Sequence, residues 1–101
     1  MPLIQRPNAT VEIIQRVRNA MDKRLQERLE FHGYKIYTSD AETYGKVAEE
    51  FNKEALDELH ANDHQKFAEE LLDTAIAAFW GIVSSEMLYD TNITGVKLPK
   101  E

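Results

Sequence analysis

The chain has 101 residues, 43% of them hydrophobic and 30% charged, and carries a formal net charge of −6. This composition is that of one globular domain, and the acidic balance argues against a nucleic-acid-binding protein, which normally shows a basic patch. The lack of cysteine excludes disulfides, thiolate metal sites and cysteine nucleophiles. No signal-peptide pattern opens the sequence and no uninterrupted apolar run reaches the length of a membrane span. We therefore expect a soluble, cytoplasmic protein without a membrane partner.

The first part of the chain predicts an arm followed by a helix. Residues 1–8 contain two of the three prolines and no periodicity, which favours an extended arm. Asn8 or Thr10 could cap a first helix over about 9–32, and Gly33 is a natural residue for its carboxyl end. Apolar residues recur along this helix at three- and four-residue steps and predict an amphipathic stripe: Ile14, Val17, Met21, Leu25 and Leu29.

A short connection leads to a second predicted helix. The stretch Tyr34 to Thr38 (YKIYT) alternates like a strand but has no partner strand, so we expect an ordered loop whose tyrosines pack against the helices. Ser39, with Glu42 three residues on, fits a capping box and predicts a helix over about 40–60. The apolar positions of this helix fill one continuous arc: Tyr44, Val47, Ala48, Phe51, Ala55 and Leu59.

The third predicted helix covers about 63–88 and contains the most apolar stretch of the chain. Asn62 or Asp63 can cap it, and the short break before it predicts an antiparallel αα-hairpin with the second helix. Ala75 to Val83 is apolar or glycine at every position, and a helix that is apolar all round belongs in a core. Because two other helices cover it poorly, we expect an all-α fold completed as an oligomeric helical bundle, a dimer or a tetramer. Residues 89–101 predict an irregular tail.

Acidic side chains gather on both helices of the predicted hairpin. Glu50 and Glu54 lie along the border of the apolar arc, and Glu58 falls inside it. Glu70 and Asp73 are three residues apart and share a face. Antiparallel packing brings Glu54 and Glu58 to a similar height as Glu70 and Asp73, where converging carboxylates would repel one another at low dielectric. A hard divalent cation such as Mg²⁺ is the simplest neutraliser; the alternative is ion pairing with a lysine, Lys46, Lys53 or Lys66.

The two acidic helices together resemble a known family. The sequence GKVAEEFNKEALDEL, a short turn and then KFAEELLDTAIAAFWGI is similar to the MazG-like, all-α nucleoside triphosphate pyrophosphohydrolases, which include dimeric dUTPases and small phage-encoded relatives. The mark of this family is E-x-x-E on one helix and E-x-x-D on the next. Glu70-Leu-Leu-Asp73, preceded by Glu69, matches the second half. The resemblance covers about 44–83 and identifies the whole chain, 1–101, as a single MazG-like helical domain.

The first half of the motif departs from the family pattern. Counted back from Glu70 without a gap, Glu54 takes the place of the second metal-binding glutamate, and the place of the first is then occupied by Phe51. Glu50 could substitute, because residues four apart share a helix face. An insertion of one residue, accommodated as a π-bulge, would also bring Glu50 to the site. Glu58 is the other candidate on this helix.

The resemblance implies Mg²⁺- or Mn²⁺-dependent hydrolysis of nucleoside triphosphates to monophosphate and pyrophosphate, an activity of the housecleaning type. It implies four metal ligands: Glu50, Glu54, Glu70 and Asp73. Three of these are expected to act in catalysis: Glu54, Glu70 and Asp73. Three lysines could contact phosphates: Lys46, Lys53 and Lys66. An aromatic ring could stack on the base, from Trp80, Tyr34, Tyr37 or Phe79, although a core position is the simpler interpretation of Trp80 and Phe79. The family also generally builds its sites in self-associated assemblies.

Two other classes of function stay open. One is a catalytically inactive helical interaction module that keeps the hairpin without the metal, which the phenylalanine at position 51 favours. The other is a structural oligomer that uses the apolar third helix as its seam. The sequence therefore leaves enzymatic activity open.

Overall fold

A computed structural model describes residues 6–93 and is all-helical over that range, without a strand. Helix α1 spans Val11–His32 and α2 spans Asp40–Glu49. A π-helical segment, Glu50–Ala55, continues α2 without a break and leads into α3, Leu56–His60. Helix α4 spans His64–Tyr89. The all-α prediction is confirmed. The second predicted helix is one uninterrupted helical segment that consists of α2, the π-helical segment and α3. The predicted arm and tail lie largely outside the described residues.

Local capping explains where the helices begin. The Thr10 side chain accepts a hydrogen bond from the Ile13 N–H at 3.2 Å, which satisfies a free donor of the first turn of α1. Ser39 does the same for the Glu42 N–H at 3.1 Å, and Asp63 for the Lys66 N–H at 3.0 Å. At the other end of α1, Gly33 has a φ of 73°, a value that glycine adopts without the strain that a side chain causes.

Helix α4 is the central element, and α1, α2, the π-helical segment and α3 all pack against it. Its buried residues recur at intervals of about one turn and therefore lie on one face: Ile76, Ala77, Trp80, Gly81 and Ser84. Opposite them, Ala55 of the π-helical segment is fully buried. At Gly81, α2 and α4 approach each other closely, because a Cβ at this position would overlap the Thr43 side chain.

The loop between α1 and α2 is tied to α4 by hydrogen bonds from buried groups. The Tyr37 N–H donates to Ser84 Oγ at 2.9 Å, and the Ser84 hydroxyl donates to the Trp80 carbonyl at 2.8 Å. The Trp80 Nε1–H donates to the Lys35 carbonyl at 2.9 Å. Tyr37 is buried, whereas Tyr34 is 72% exposed. The expectation that the tyrosines of this loop pack against the helices is therefore right for Tyr37 and wrong for Tyr34.

Several apolar side chains of the described residues face water. No residue of α1 is buried, and Ile14 and Val17 of its predicted apolar stripe are about half exposed. The amino-terminal half of α1 therefore extends beyond the helices that could cover it. On α4, Phe79 and Ile82 are each 41% exposed. The apolar run of α4 is thus incompletely covered in a single copy of the chain.

Helix α4 is also the one helix in residues 6–93 that is long and apolar enough to cross a membrane by length and composition. The expectation that no such stretch exists considered only uninterrupted apolar runs, whereas α4 meets the criterion over a stretch that contains polar residues. The core helix of a soluble protein meets the same criterion, so this property is weak support for a membrane role.

Candidate metal centre

The π-helical segment determines which acidic side chains of the second helix face α4. At its end, the Leu56 N–H bonds to the Phe51 carbonyl, five residues back, whereas an α-helix bonds four residues back. The wider turn absorbs one additional residue at the position where the sequence departs from E-x-x-E. The π-bulge offered as an alternative from the sequence is therefore present, and it places Glu50 and Glu54 side by side.

Three carboxylates converge between the second helix and α4. One oxygen from each of Glu50, Glu54 and Glu70 lies within 4.8 Å of the other two, and we call these three residues the acidic cluster. Glu50 and Glu70 are half-buried, while Glu54 is exposed. The Glu70 Oε2 is out of contact with water and has no hydrogen-bond partner in the described part of the chain. Buried carboxylate oxygens normally have a partner, so this oxygen is an unused ligand atom.

The cluster resists full ionisation. Burial, and then the neighbouring Glu54 carboxylate, raises the pKa of Glu50 from 4.5 to about 7. Burial and a hydrogen bond to Glu54 raise the pKa of Glu70 to about 7 as well. Both effects disfavour the charged form of an acid. The cluster therefore holds protons near neutral pH unless a cation compensates its charge.

Asp73 lies beside the cluster and already has a cation. Its Oδ1 is 3.0 Å from Nε of Arg24 on α1, in a pair whose side chains are 34% and 36% exposed. The Nε–H bond does not point at a carboxylate oxygen, so the contact is an ion pair rather than a directed hydrogen bond. Burial raises the pKa of Asp73 while Arg24 lowers it. The sequence interpretation considered only lysines and missed Arg24, whose position depends on how α1 docks.

The lysines and the tryptophan of the sequence hypothesis occupy different environments. Lys46 lines a cavity beside the cluster, whereas Lys53 and Lys66 are exposed and do not line it. Trp80 is 6% exposed and belongs to the core. Glu58 is not a member of the cluster. The structure thus brings Lys46 towards the acidic residues and leaves the other two lysines on the outer surface.

The cavity has a volume of about 480 Å³ and opens between α1, the loop, α2 and α4, a size typical of small-molecule sites. Glu50 and Asp73 line it, so the cavity borders the acidic cluster. Its lining also includes three cationic side chains, Arg24, Arg28 and Lys46, together with the aromatic Phe31 and Tyr37 and the acidic Glu27 and Glu49. The cavity therefore offers carboxylates and cations to the same ligand.

In comparisons with protein-family models, curated proteins and solved structures, the chain matches none. Its chemistry must therefore be argued from the site itself. Oxygen atoms from three carboxylates on two packed helices form a donor set that suits hard divalent cations.

Proposed function

We propose that this chain is a metal-dependent hydrolase whose site is built by carboxylates in a helical hairpin. More particularly, we propose a MazG-like nucleoside triphosphate pyrophosphohydrolase of the cytoplasm, which releases a nucleoside monophosphate and pyrophosphate. The observation that supports this most is the π-helical segment, because it compensates for Phe51 and brings Glu50 to Glu54 and Glu70.

The acidic cluster fits a divalent cation. Ligand oxygens lie about 2.0–2.6 Å from Mg²⁺ or Ca²⁺, so oxygens within 4.8 Å of one another can share one ion after a small adjustment. Glu70 Oε2 is buried and has no hydrogen-bond donor within residues 6–93, so it is available as a ligand atom. Glu50, Glu54 and Glu70 would hold Mg²⁺ or Mn²⁺, and Asp73 would join them if it left Arg24.

The residues of the site then have distinct roles. A bound Mg²⁺ would offset phosphate charge and polarise the bond to be cleaved. Glu54 is the exposed member of the cluster and is accessible to water, so we assign it the positioning of the attacking water and acceptance of its proton. The water oxygen bonds to phosphorus, the bridging oxygen between the α- and β-phosphates leaves, and Lys46 contacts the phosphates. Trp80 is buried, which disfavours it as a base-stacking residue.

Thermal melting with added metal tests the site. At a Mg²⁺ concentration of about 100 times Kd, binding stabilises the folded state by about 2.7 kcal/mol. For a domain of this size, that corresponds to about 10–20 °C in Tm. Glu70→Gln should abolish this response, and it should raise the Tm of the metal-free protein because one repelling charge is removed.

Glu69→Gln is the matched control for this experiment. Glu69 precedes Glu70 but is exposed, and its side chain accepts a hydrogen bond from Gln65. This variant should keep the full metal response. If neither Mg²⁺ nor Mn²⁺ shifts the wild-type Tm, or if both variants respond alike, the metal-site proposal is wrong.

Activity is tested with a panel of nucleoside triphosphates in Mg²⁺ buffer, by measuring monophosphate and pyrophosphate. Wild type should release both in equal amounts, and Glu54→Gln should lose activity by at least about a hundredfold, as a group that takes a proton in the transition state typically contributes 10²–10⁴-fold. Release of inorganic phosphate instead would contradict the assigned cleavage position.

A second function is favoured by the exposed apolar surface. The partly exposed Val17 on α1 and Ile82 on α4 support self-association as a dimer or tetramer, with or without catalysis. Light scattering at micromolar concentration should give a multiple of the monomer mass, and Ile82→Glu should shift it towards the monomer. A wild-type monomer would contradict self-association and leave the metal proposal to its own test.

A further inference from the structure

Arg28 on α1 is held by aromatic rings rather than by a carboxylate. Its Cζ lies 4.7 Å from the centre of the Trp80 ring and 5.7 Å from that of Tyr37. Among residues 6–93, no carboxylate forms an ion pair with Arg28. Its Nη1 is buried and has no hydrogen-bond acceptor. The guanidinium of Arg28 therefore stacks on two aromatic rings and has no counter-ion in the described part of the chain.

This arrangement combines a destabilising and a stabilising contribution. A buried donor without an acceptor destabilises the fold, whereas the cation–π contacts with the two rings stabilise it. Stacking occupies the faces of the guanidinium, whereas its N–H donors lie in the plane of the group. The two rings thus orient the guanidinium of Arg28, whose side chain lines the cavity.

Arg28 also stands where a ligand can reach the acidic cluster. It lines the same cavity as Arg24 and Lys46, and Glu50 and Asp73 also line this cavity. Arg24 is engaged by Asp73, so Arg28 is the arginine of the cavity without a carboxylate partner. Guanidinium groups bind phosphate through paired, charge-assisted hydrogen bonds.

We propose that Arg28 is a phosphate-binding residue, which receives the phosphate chain of a nucleotide through the N–H groups on the cavity side of its guanidinium. The inference rests on the proposed function for the choice of a nucleotide as ligand. It extends that function by assigning substrate recognition to α1, a helix outside the acidic hairpin. It also places the phosphate end of the substrate, rather than the base, against α1.

Trp80 is the only tryptophan of the chain and lies under Arg28, so its fluorescence reports on the engagement of this residue. Inorganic tripolyphosphate with Mg²⁺ should change Trp80 emission in a saturable manner, whereas a nucleoside without phosphates should not. Arg28→Met, which keeps an apolar chain over the rings, should weaken tripolyphosphate binding by about 10–100-fold, as expected for the loss of a hydrogen bond to a charged group. Arg16→Met, at an exposed position of the same helix, should bind like wild type.

Arg28→Lys is a second variant in case Arg28→Met fails to fold, since lysine keeps the charge and lacks the planar donors. It should bind tripolyphosphate more weakly than wild type and more tightly than Arg28→Met. Equal binding by folded wild type and Arg28→Met would overturn the inference, as would a wild type that does not bind tripolyphosphate. Hydrolysis with an unchanged KM in Arg28→Met refutes the inference and leaves the proposed function intact. Tripolyphosphate binding that needs Arg28 in a protein without hydrolysis supports the inference and refutes the function.

Discussion

Gly81 fixes the distance between α2 and α4, and replacing it should disturb both stability and the metal centre. A Cβ built at this position overlaps Cγ2 of Thr43 and lies 3.2 Å from its Oγ1 and 3.3 Å from its Cβ. Thr43 is β-branched, and such side chains are restricted to few rotamers in a helix, so a change of its rotamer is costly. We therefore expect the two helices to separate in Gly81→Ala.

The expected net effect is a moderate loss of stability. Overpacking of this kind costs about 1–3 kcal/mol, and the better helix propensity of alanine returns about 0.5–1 kcal/mol. The difference is a net loss of up to about 2.5 kcal/mol, which corresponds to a Tm lower by up to about 20 °C for a domain of this size. Because the separation moves the second helix away from Glu70, the response of Tm to Mg²⁺ should also weaken.

Gly45→Ala is the control, since it makes the same substitution on α2 where no atom lies within 4 Å of the new Cβ. It should raise stability by about 0.5–1 kcal/mol through helix propensity alone. Thr43→Ala, combined with Gly81→Ala, removes the overlapping atoms and should restore most of the loss. Urea melts of wild type, the two glycine variants and the double variant measure the free energy of unfolding that these predictions concern. If Gly81→Ala is stabilised like Gly45→Ala, the close approach of α2 and α4 is incorrect.

Three further predictions follow from the polar contacts. Two members of the acidic cluster, Glu50 and Glu70, have a pKa raised from 4.5 to about 7, so the cluster binds more protons in the folded than in the unfolded protein. Its contribution to the stability of the metal-free protein is therefore fully present below pH 4.5 and is lost as the pH rises through 7. The shift of Tm by Mg²⁺ should accordingly be larger at pH 8 than at pH 5.5, and an equal shift at both would contradict the cluster as the metal site. Ser84→Ala leaves the buried Tyr37 N–H without its acceptor and should lower the free energy of unfolding, measured by urea melts, by about 1–3 kcal/mol. Ser85→Ala should lower it by less than about 1 kcal/mol. Similar losses in the two variants would argue against the buried hydrogen bond. A double-mutant cycle of Arg24→Met and Asp73→Asn should give a coupling energy of about 0.2–1 kcal/mol, as for pairs near the surface, and a value above 3 kcal/mol would mean that the pair is desolvated.

Helix boundaries could be predicted from the sequence because they depend on local chemistry. Thr10, Ser39 and Asp63 each cap a helix through a hydrogen bond to a backbone N–H three residues on, and such a contact needs no tertiary structure. The αα-hairpin followed from the short break before Asp63. These features account for most of the fold.

The neighbours of the site were harder to predict because they depend on docking. Arg24 reaches Asp73 only through the placement of α1 against α4, which no local pattern encodes. Periodicity placed Ile14 and Val17 on the apolar stripe of α1, yet they are about half exposed, because periodicity identifies an apolar face and not its partner. A wheel drawn at 100° per residue also fails after Glu49, where the π-helical segment begins.

That π-helical segment accommodates one residue more than the E-x-x-E spacing contains. Deletion of one residue between Glu50 and Glu54 would let the backbone relax into an ordinary α-helix and leave the two glutamates three residues apart, where they still share a face. A point substitution at the exposed Asn52 or Lys53 would leave the helix register unchanged. The loss of a single codon between the two glutamates is therefore a change of chain length that keeps their carboxylates together.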